Sequence, residues 1–200
     1  DELPYTLATS AVKKYIRKQF DWVAEKYEAS IVVEKTCANS LRVPFVNEVI
    51  PEAKYIYIVR DGIDVTGSAK LRWTAKLNIS YLLQKVRFVP LIDIPYYALR
   101  YFRSRIYRLL SHERRLEFWG PSIDGMSNLT KIYNLNEVCA LQWKKCVENS
   151  GEAFSNTFNE RVIYIRYEEL VEKPVKIISE IINFIGLSDS PGLIADSVGN

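Results

Sequence analysis

The spacing of apolar residues changes along the chain, and the change separates predicted helices from predicted strands. From Ala8 to Tyr27 apolar residues recur near every 3.6 positions, with lysines and an arginine between them, which predicts a packed surface helix. The same spacing predicts helices over 39–49 and 135–149, the second ended by Gly151. A further helix is predicted to begin at Pro174 and to end at Gly186.

Short runs of β-branched and aromatic residues predict buried strands at 31–33, 53–60 and 161–166. The second strand ends at Arg60-Asp61-Gly62, which is a turn signal, and Asp61 is a suitable cap for a helix over 63–73. Residues 167–169 predict a turn after the third strand. Alternation of strands and helices favours one α/β domain over residues 1–200, with a mostly parallel sheet.

Residues 74–130 predict a helical and loop insertion in this domain, because Pro90 and Pro95 divide a stretch in which aromatic residues alternate with Arg and Lys. Over 96–110 one face is apolar and the other carries arginines. Three interpretations stay open: a cap over an acceptor pocket, contact with a membrane surface, or binding of an anionic polymer such as a glycan or nucleic acid. We favour the cap, since insertions of this kind often build substrate sites, and we expect no nucleic-acid partner. The Trp119-Gly120-Pro121 loop is a candidate to pack over a ligand.

Composition limits the classes of protein that the chain can represent. Its 200 residues are 48% hydrophobic and 26% charged with a net charge of +3, which excludes disordered and fibrous classes and suits an anionic ligand. No apolar run approaches the roughly 18 residues of a membrane span. The three cysteines match no zinc or disulfide pattern, and no metal-binding cluster accompanies the single histidine, His112. We therefore expect no metal.

Candidate chemistry lies at the end of the predicted 53–60 strand. Arg60 stands where the strand ends, and Ser68 lies eight residues later in the predicted helix. In open α/β sheets ligands bind outside the carboxyl ends of strands, so a guanidinium and a hydroxyl at this point can hold an anion. The alternative for an isolated arginine is a surface ion pair.

Three stretches resemble segments of sulfotransferases that use 3′-phosphoadenosine 5′-phosphosulfate (PAPS) as donor. The 51–73 stretch resembles their 3′-phosphate-binding segment, and the resemblance implies that Arg60 and Ser68 hold that phosphate. The 34–42 stretch, EKTCANSLR, resembles a Glu-Lys-Thr-Pro-x-Asn segment, with Cys37 in place of Pro. There Lys35 is suited to neutralise charge on the bridging oxygen, and Glu34 is a candidate base or, equally, an ion-pair partner. The 167–187 stretch resembles a segment near the end of the family domain, and we assign it a folding role.

The resemblance implies a P-loop-NTPase-like three-layer fold and transfer of a sulfuryl group from PAPS to a hydroxyl or amine of a small-molecule or glycan acceptor. The family's Gly- and Ser-rich phosphosulfate loop is not found in the sequence, and we expect it upstream of Asp1. The alternatives are a non-catalytic anion- or membrane-surface-binding protein on the same scaffold and a nucleotide kinase. Free cysteines favour the cytoplasm, whereas the Golgi lumen is expected for a eukaryotic glycan-type member with functional sequons at Asn78 and Asn128.

Overall fold

The computed structural model describes residues 1–74, 118–157 and 160–188, together with single residues at 95, 99, 106, 116 and 194. The predicted insertion 74–130 is therefore described mainly at its two ends. Apart from Leu99 and Ile106, the arginine-rich segment 96–110 lies outside the described residues. His112 and the Asn78 sequon lie outside them as well.

Seven α-helices, two β-strands and two short 3₁₀-helices make up the described part of the chain. In chain order they are the 3₁₀-helix Tyr5–Leu7, α1 (Ser10–Lys26), the 3₁₀-helix Cys37–Leu41, α2 (Val43–Val49), β1 (Tyr55–Val59), α3 (Gly62–Trp73), α4 (Met126–Ile132), α5 (Leu135–Thr157), β2 (Val162–Arg166), α6 (Tyr167–Glu172) and α7 (Pro174–Ile185). The α/β class is confirmed, with helix predominating. The P-loop-like three-layer arrangement stays a prediction.

The two strands of the described sheet pair in parallel. Tyr57 lies opposite Tyr164, and Val59 lies opposite Arg166, so both strands reach their carboxyl ends at the same edge of the sheet. The predicted strand at 31–33 is wrong, because these residues have no regular secondary structure and Val33 is 73% exposed. An extended segment becomes a strand only when a neighbouring strand accepts and donates its backbone hydrogen bonds, and the described residues provide none here.

Helix α5 is the element on which the described core is built. Trp73 of α3 is fully buried and packs in one cluster with Val138 and Cys139 of α5. The helix continues through Gly151, so the predicted end at that residue is wrong. Continuation buries Phe154, whose ring centroid lies 5.3 Å from that of Tyr55 in β1, and this apolar burial outweighs the cost of one helical glycine.

Other helix boundaries agree with the sequence where a local signal sets them. Pro174 begins α7, and Gly186 ends it in the left-handed conformation with a φ of 88°. The predicted helix over 39–49 is instead divided at Arg42, because Pro44 has no N–H to continue the hydrogen-bond ladder. Residues 167–169 begin helix α6 rather than a turn alone.

Helix α1 packs differently from the prediction. Its inner face includes Val12 and Ile16, which contact the buried cluster of Ala8, Phe45 and Val49. Tyr15 and Tyr27, which the spacing placed inside, are exposed.

Candidate functional site

Arg60 and Tyr167 are the first residues after the two parallel strands, and they meet at the carboxyl edge of the sheet. The guanidinium carbon of Arg60 lies 4.6 Å from the centroid of the Tyr167 ring. That distance is within the range of a cation–π contact. The sheet register therefore brings together two residues that are more than a hundred positions apart in sequence.

The backbone at Arg60 is fixed by Trp143 of α5. The indole N–H of Trp143 donates to the Arg60 carbonyl oxygen at 3.1 Å. The same ring packs against Gly62, where a Cβ atom would approach the ring carbons to 2.9 Å. Glycine is therefore required at this position so that the indole can approach the start of α3.

Most N–H donors of the Arg60 side chain have no acceptor among the described residues. One N–H of Nη2 points to the Asp64 carboxylate at 3.3 Å, and the buried Nε has no acceptor among the described residues. The side chain is 36% exposed. A guanidinium carries five N–H donors, so most of its capacity to bind an anion is unused within the described part of the chain.

Asp61 caps α3 as the sequence predicts. Its carboxylate accepts hydrogen bonds from the backbone N–H groups of Ile63, at 2.8 Å, and Asp64, at 3.3 Å. Its own backbone N–H donates to the Glu168 carboxylate at 2.9 Å. That N–H lowers the pKa of the Glu168 carboxyl below its ordinary value. The turn after β1 is thus held by the Asp61 cap on α3 and by the hydrogen bond from the Asp61 N–H to Glu168.

Ser68 lies in the interior of α3, four residues after Asp64, so the two side chains share one face of the helix. The Ser68 hydroxyl is exposed and has no hydrogen-bond partner among the described residues. Arg60 contacts Asp64 at the start of this face. Ser68 lies on the same face one turn later, about 6 Å from Asp64 along the helix axis. The structure does not show a direct contact between Arg60 and Ser68.

Residues 34–42 form a turn that hydrogen-bonds to itself. One carboxylate oxygen of Glu34 accepts from the Thr36 hydroxyl, and the other accepts from the Asn39 amide. Asn39 in turn accepts from Arg42 Nε at 2.9 Å. The ion pair that was the alternative to a base role for Glu34 is not formed among the described residues, where these local hydrogen bonds take its place. Lys35 is exposed, and its Nζ donates to Cys37 Sγ at 3.4 Å.

Helix α5 contacts both candidate stretches, at positions about two turns apart. Trp143 binds the backbone at Arg60, and the Ser150 hydroxyl donates to the Ser40 carbonyl oxygen at 2.9 Å. Seven residues of α-helix separate Trp143 from Ser150, which corresponds to about 10 Å along the axis. The Lys35 turn and the Arg60 turn therefore dock on one rigid support.

The Trp119-Gly120-Pro121 loop packs on the core. The Gln142 amide donates to the carbonyl oxygens of Trp119 at 3.0 Å and Pro121 at 2.8 Å, while its oxygen accepts from Trp73 Nε1 at 3.2 Å. Gly120 has a φ of 81° and lies against the Gln142 amide, so it needs glycine. The described contacts give this loop a structural role, and the predicted cover over a ligand stays a prediction.

A groove of about 290 Å³ lies beside α5, away from the candidate residues. Its lining consists of Glu2, Ile123, Asp124, Leu129, Leu141, Lys144, Lys145 and Glu148. None of Lys35, Arg60 and Ser68 contributes to it. Within the described ranges there is no group of three His, Cys, Asp or Glu residues that could hold a metal ion, and no helix there has the length and apolar character to cross a membrane.

Sequence reasoning missed the contacts that Trp143, Tyr167 and Glu168 make around Arg60. It gave the 167–187 stretch only a folding role. A signal was available for Tyr167 and Glu168, since the residues that follow parallel strands meet at one edge of the sheet. No sequence signal was available for Trp143, because its contact with the Arg60 backbone depends on how α5 crosses α3.

Comparison with known proteins identifies one family. The model of the sulfotransferase family matches residues 2–122, more than half of the chain. The matched region contains both the Glu34–Arg42 turn and the Arg60–Ser68 stretch, and it ends before β2. Searches of curated proteins and of solved structures gave no significant match.

Proposed function

Because the chain belongs to the sulfotransferase family, we propose that it moves a sulfuryl group from PAPS to a hydroxyl or amine of an acceptor such as a carbohydrate or small molecule. The observation that carries this proposal is the Arg60 guanidinium, held at the carboxyl edge of the sheet with most of its N–H donors unused. Its role in the proposal is to bind the 3′-phosphate of the donor, with the exposed Ser68 hydroxyl as a second ligand.

The surroundings of Arg60 fit a phosphate despite the neighbouring carboxylate. The Asp64 contact is a single, exposed i,i+4 pair, a type that contributes only about 0.3–0.5 kcal/mol. Charge-assisted hydrogen bonds to a phosphate contribute about 1.5–3 kcal/mol each. Phosphate binding therefore outweighs the Asp64 contact. Helix α3 also points its N-terminal end, which carries partial positive charge, toward the same edge.

Lys35 is the proposed source of positive charge at the transferring group. When PAPS is bound, it supplies an activated sulfuryl group, and negative charge develops on the bridging oxygen as the bond from sulfur to that oxygen breaks. Lys35 is exposed, and among the described residues its ammonium donates one weak hydrogen bond, to Cys37 Sγ. It is therefore free to turn toward that oxygen and to stabilise the charge.

Glu34 is the proposed base for the acceptor. Its two carboxylate oxygens accept from Thr36 and Asn39, so it would have to exchange one of these donors for the acceptor hydroxyl before it could take the proton. The same two hydrogen bonds hold the turn that presents Lys35. Glu34 therefore helps to position Lys35, whether or not it also acts as the base.

The proposal is tested by transfer of radiolabelled sulfuryl from PAPS to a panel of hydroxyl and amine acceptors. We expect Lys35→Ala to lower kcat by about 100- to 1000-fold, as for loss of one donor that stabilises developing charge. Lys14→Ala removes an exposed lysine of α1 and is expected to leave the rate unchanged. Nucleotide binding without transfer to any acceptor would favour the non-catalytic anion-binding alternative.

A further inference from the structure

Two of the three cysteines lie where the Lys35 turn, residues 34–42, packs on helix α5. Cys37 begins the 3₁₀-helix of that turn and is exposed, whereas Cys146 belongs to α5 and is partly buried. The Ser150 hydroxyl donates to the Ser40 carbonyl oxygen at 2.9 Å, and Cys146 lies one helical turn before Ser150 on the same face of α5. The packing of the turn therefore places one cysteine on each side of the same contact.

Ser40 connects these two cysteines. Its hydroxyl donates to the Cys37 carbonyl oxygen at 2.6 Å. Burial raises the pKa of the Cys146 thiol, a hydrogen bond with the Ser40 hydroxyl lowers it, and the nearby Cys37 thiol raises it. Cys146 also packs against the buried cluster that contains Leu41, the last residue of the same 3₁₀-helix. Cys37 and Cys146 are therefore neighbours in space, although 109 positions separate them in sequence.

The third cysteine, Cys139, is a poor partner for Cys146. It is buried in the core, and the two residues lie seven positions apart on one helix. Seven residues of α-helix span about 10 Å, whereas a disulfide joins Cα atoms no more than about 7 Å apart. Among the three cysteines the structure therefore favours the pair of Cys37 and Cys146.

The Cys37 sulfur also contacts the Lys35 side chain, since it accepts a hydrogen bond from the Lys35 ammonium at 3.4 Å. The two sulfur atoms of a disulfide lie about 2 Å apart, so Cys37 would have to turn toward α5 to bond with Cys146. That movement takes the sulfur away from the Lys35 ammonium. Cys37 stands where the sulfotransferase segment that this turn resembles has proline, which has no sulfur, so the arrangement is particular to this chain.

We propose that Cys37 and Cys146 form a reversible disulfide that couples the oxidation state of the protein to the position of Lys35. With a peroxide as oxidant, the exposed Cys37 thiol becomes a sulfenic acid and one water molecule is released. The Cys146 sulfur then bonds to the Cys37 sulfur, and the sulfenic oxygen leaves as a second water molecule. The two thiols thus lose two electrons and two protons to one hydrogen peroxide. The effect on transfer rests on the proposed function, whereas the disulfide itself does not.

Peptide mapping after treatment with hydrogen peroxide tests the pairing. Trypsin cleaves after Lys and Arg, so the three cysteines fall on the separate peptides 36–42, 132–144 and 146–161. From the folded protein we expect 36–42 joined to 146–161, in a product that dithiothreitol separates. In urea we expect 132–144 joined to 146–161 to predominate by about 10- to 100-fold, because closing a loop of seven residues costs less entropy than closing one of 109.

Three variants identify the sulfur atoms involved. Cys37→Ser and Cys146→Ser should each abolish the joined product of the folded protein. Cys139→Ala, the matched control, should retain it. Circular dichroism establishes that each variant folds. If a variant does not fold, the maps of the unmodified protein in its folded state and in urea still decide the pairing.

The coupling to Lys35 is measured by transfer of radiolabelled sulfuryl from PAPS. We expect oxidation to slow transfer by the unmodified protein by about tenfold or more, a part of the loss expected for removing Lys35, and dithiothreitol to restore the rate. In Cys146→Ser, which cannot form the disulfide, the same treatment should change the rate by less than about twofold.

Each result has a distinct meaning. If the reduced protein transfers sulfuryl to no acceptor, the proposed function fails and the coupling to Lys35 fails with it, whereas the peptide map still decides the pairing. If the folded protein gives no joined product of 36–42 and 146–161, or joins the cysteines in the same proportions as in urea, the pairing is wrong. If the disulfide forms and the transfer rate stays the same, or if Cys146→Ser loses as much activity as the unmodified protein, the coupling is wrong.

Discussion

At the scale of single residues, two carboxylates connect distant parts of the chain through hydrogen bonds to their ionised form. Glu52 accepts from both terminal nitrogens of Arg17 in α1, and this hydrogen-bonded pair lowers the pKa of the Glu52 carboxyl. Glu168 accepts from the Asp61 backbone N–H, which lowers its pKa as well. Both contacts are at the surface, so their contributions are screened by solvent.

These shifts predict how the free energy of unfolding depends on pH. Each pKa is lower in the folded protein than in the unfolded chain, so each contribution is fully present above the unfolded pKa of about 4.3. It is lost as the pH falls through the folded value, because protonation removes the acceptor. We expect Glu52→Gln and Glu168→Gln to reduce the loss of stability below about pH 5, as measured by urea unfolding across a pH series. Glu160→Gln, which replaces an exposed glutamate before β2, should leave the pH dependence unchanged. The same dependence of the free energy of unfolding on pH in all three variants would contradict the roles assigned to Glu52 and Glu168.

At the scale of elements, helix α3 contains two glycines in opposite environments. Gly62 begins the helix against the Trp143 ring, with 2.9 Å between the position of a Cβ atom and the nearest ring carbons. Gly67 lies in the middle of the helix, and a Cβ atom there would meet nothing within 4 Å. The same helix therefore supplies a substitution that should damage the site and one that should not.

We expect Gly62→Ala to lower the free energy of unfolding by about 1–3 kcal/mol, as overpacking does. The Trp143 indole would have to move, and its hydrogen bond to the Arg60 carbonyl oxygen would weaken with it. Gly67→Ala should instead raise the free energy of unfolding by about 0.5–1 kcal/mol, because alanine has the higher helix propensity. Denaturant titration compares the two variants directly. Stabilisation by Gly62→Ala would show that the close approach of Trp143 is not required.

The sequence predicted those elements whose limits are set locally. Asp61 caps α3, and Pro174 and Gly186 bound α7, because each acts through its own backbone conformation or side chain. The strand at 31–33 and the helix end at Gly151 were wrong, since each depends on a distant partner. A strand needs a neighbouring strand, and α5 continues because Phe154 finds apolar contacts beyond the glycine.

At the scale of the whole molecule, the candidate site combines segments from both halves of the chain. The sequence predicts Lys35, Arg60 and Ser68 as site residues through their resemblance to sulfotransferase segments, and this stays a prediction. It did not show that α5 supports both stretches about 10 Å apart, or that Tyr167 stacks on Arg60. Those facts depend on parallel pairing and helix crossing, which act between residues far apart in sequence.

Arg60, at the carboxyl edge of the sheet, is the residue proposed to bind the 3′-phosphate of the donor nucleotide. Calorimetric titration of 3′-phosphoadenosine 5′-phosphate into the unmodified protein, Arg60→Ala and Arg72→Ala tests it most directly. Arg72 is an exposed arginine in the last turn of α3 and serves as the charge-matched control. We expect micromolar binding that Arg60→Ala weakens by about 10- to 100-fold, through loss of charge-assisted hydrogen bonds, and that Arg72→Ala retains. Equal affinity in Arg60→Ala and the unmodified protein would contradict the account.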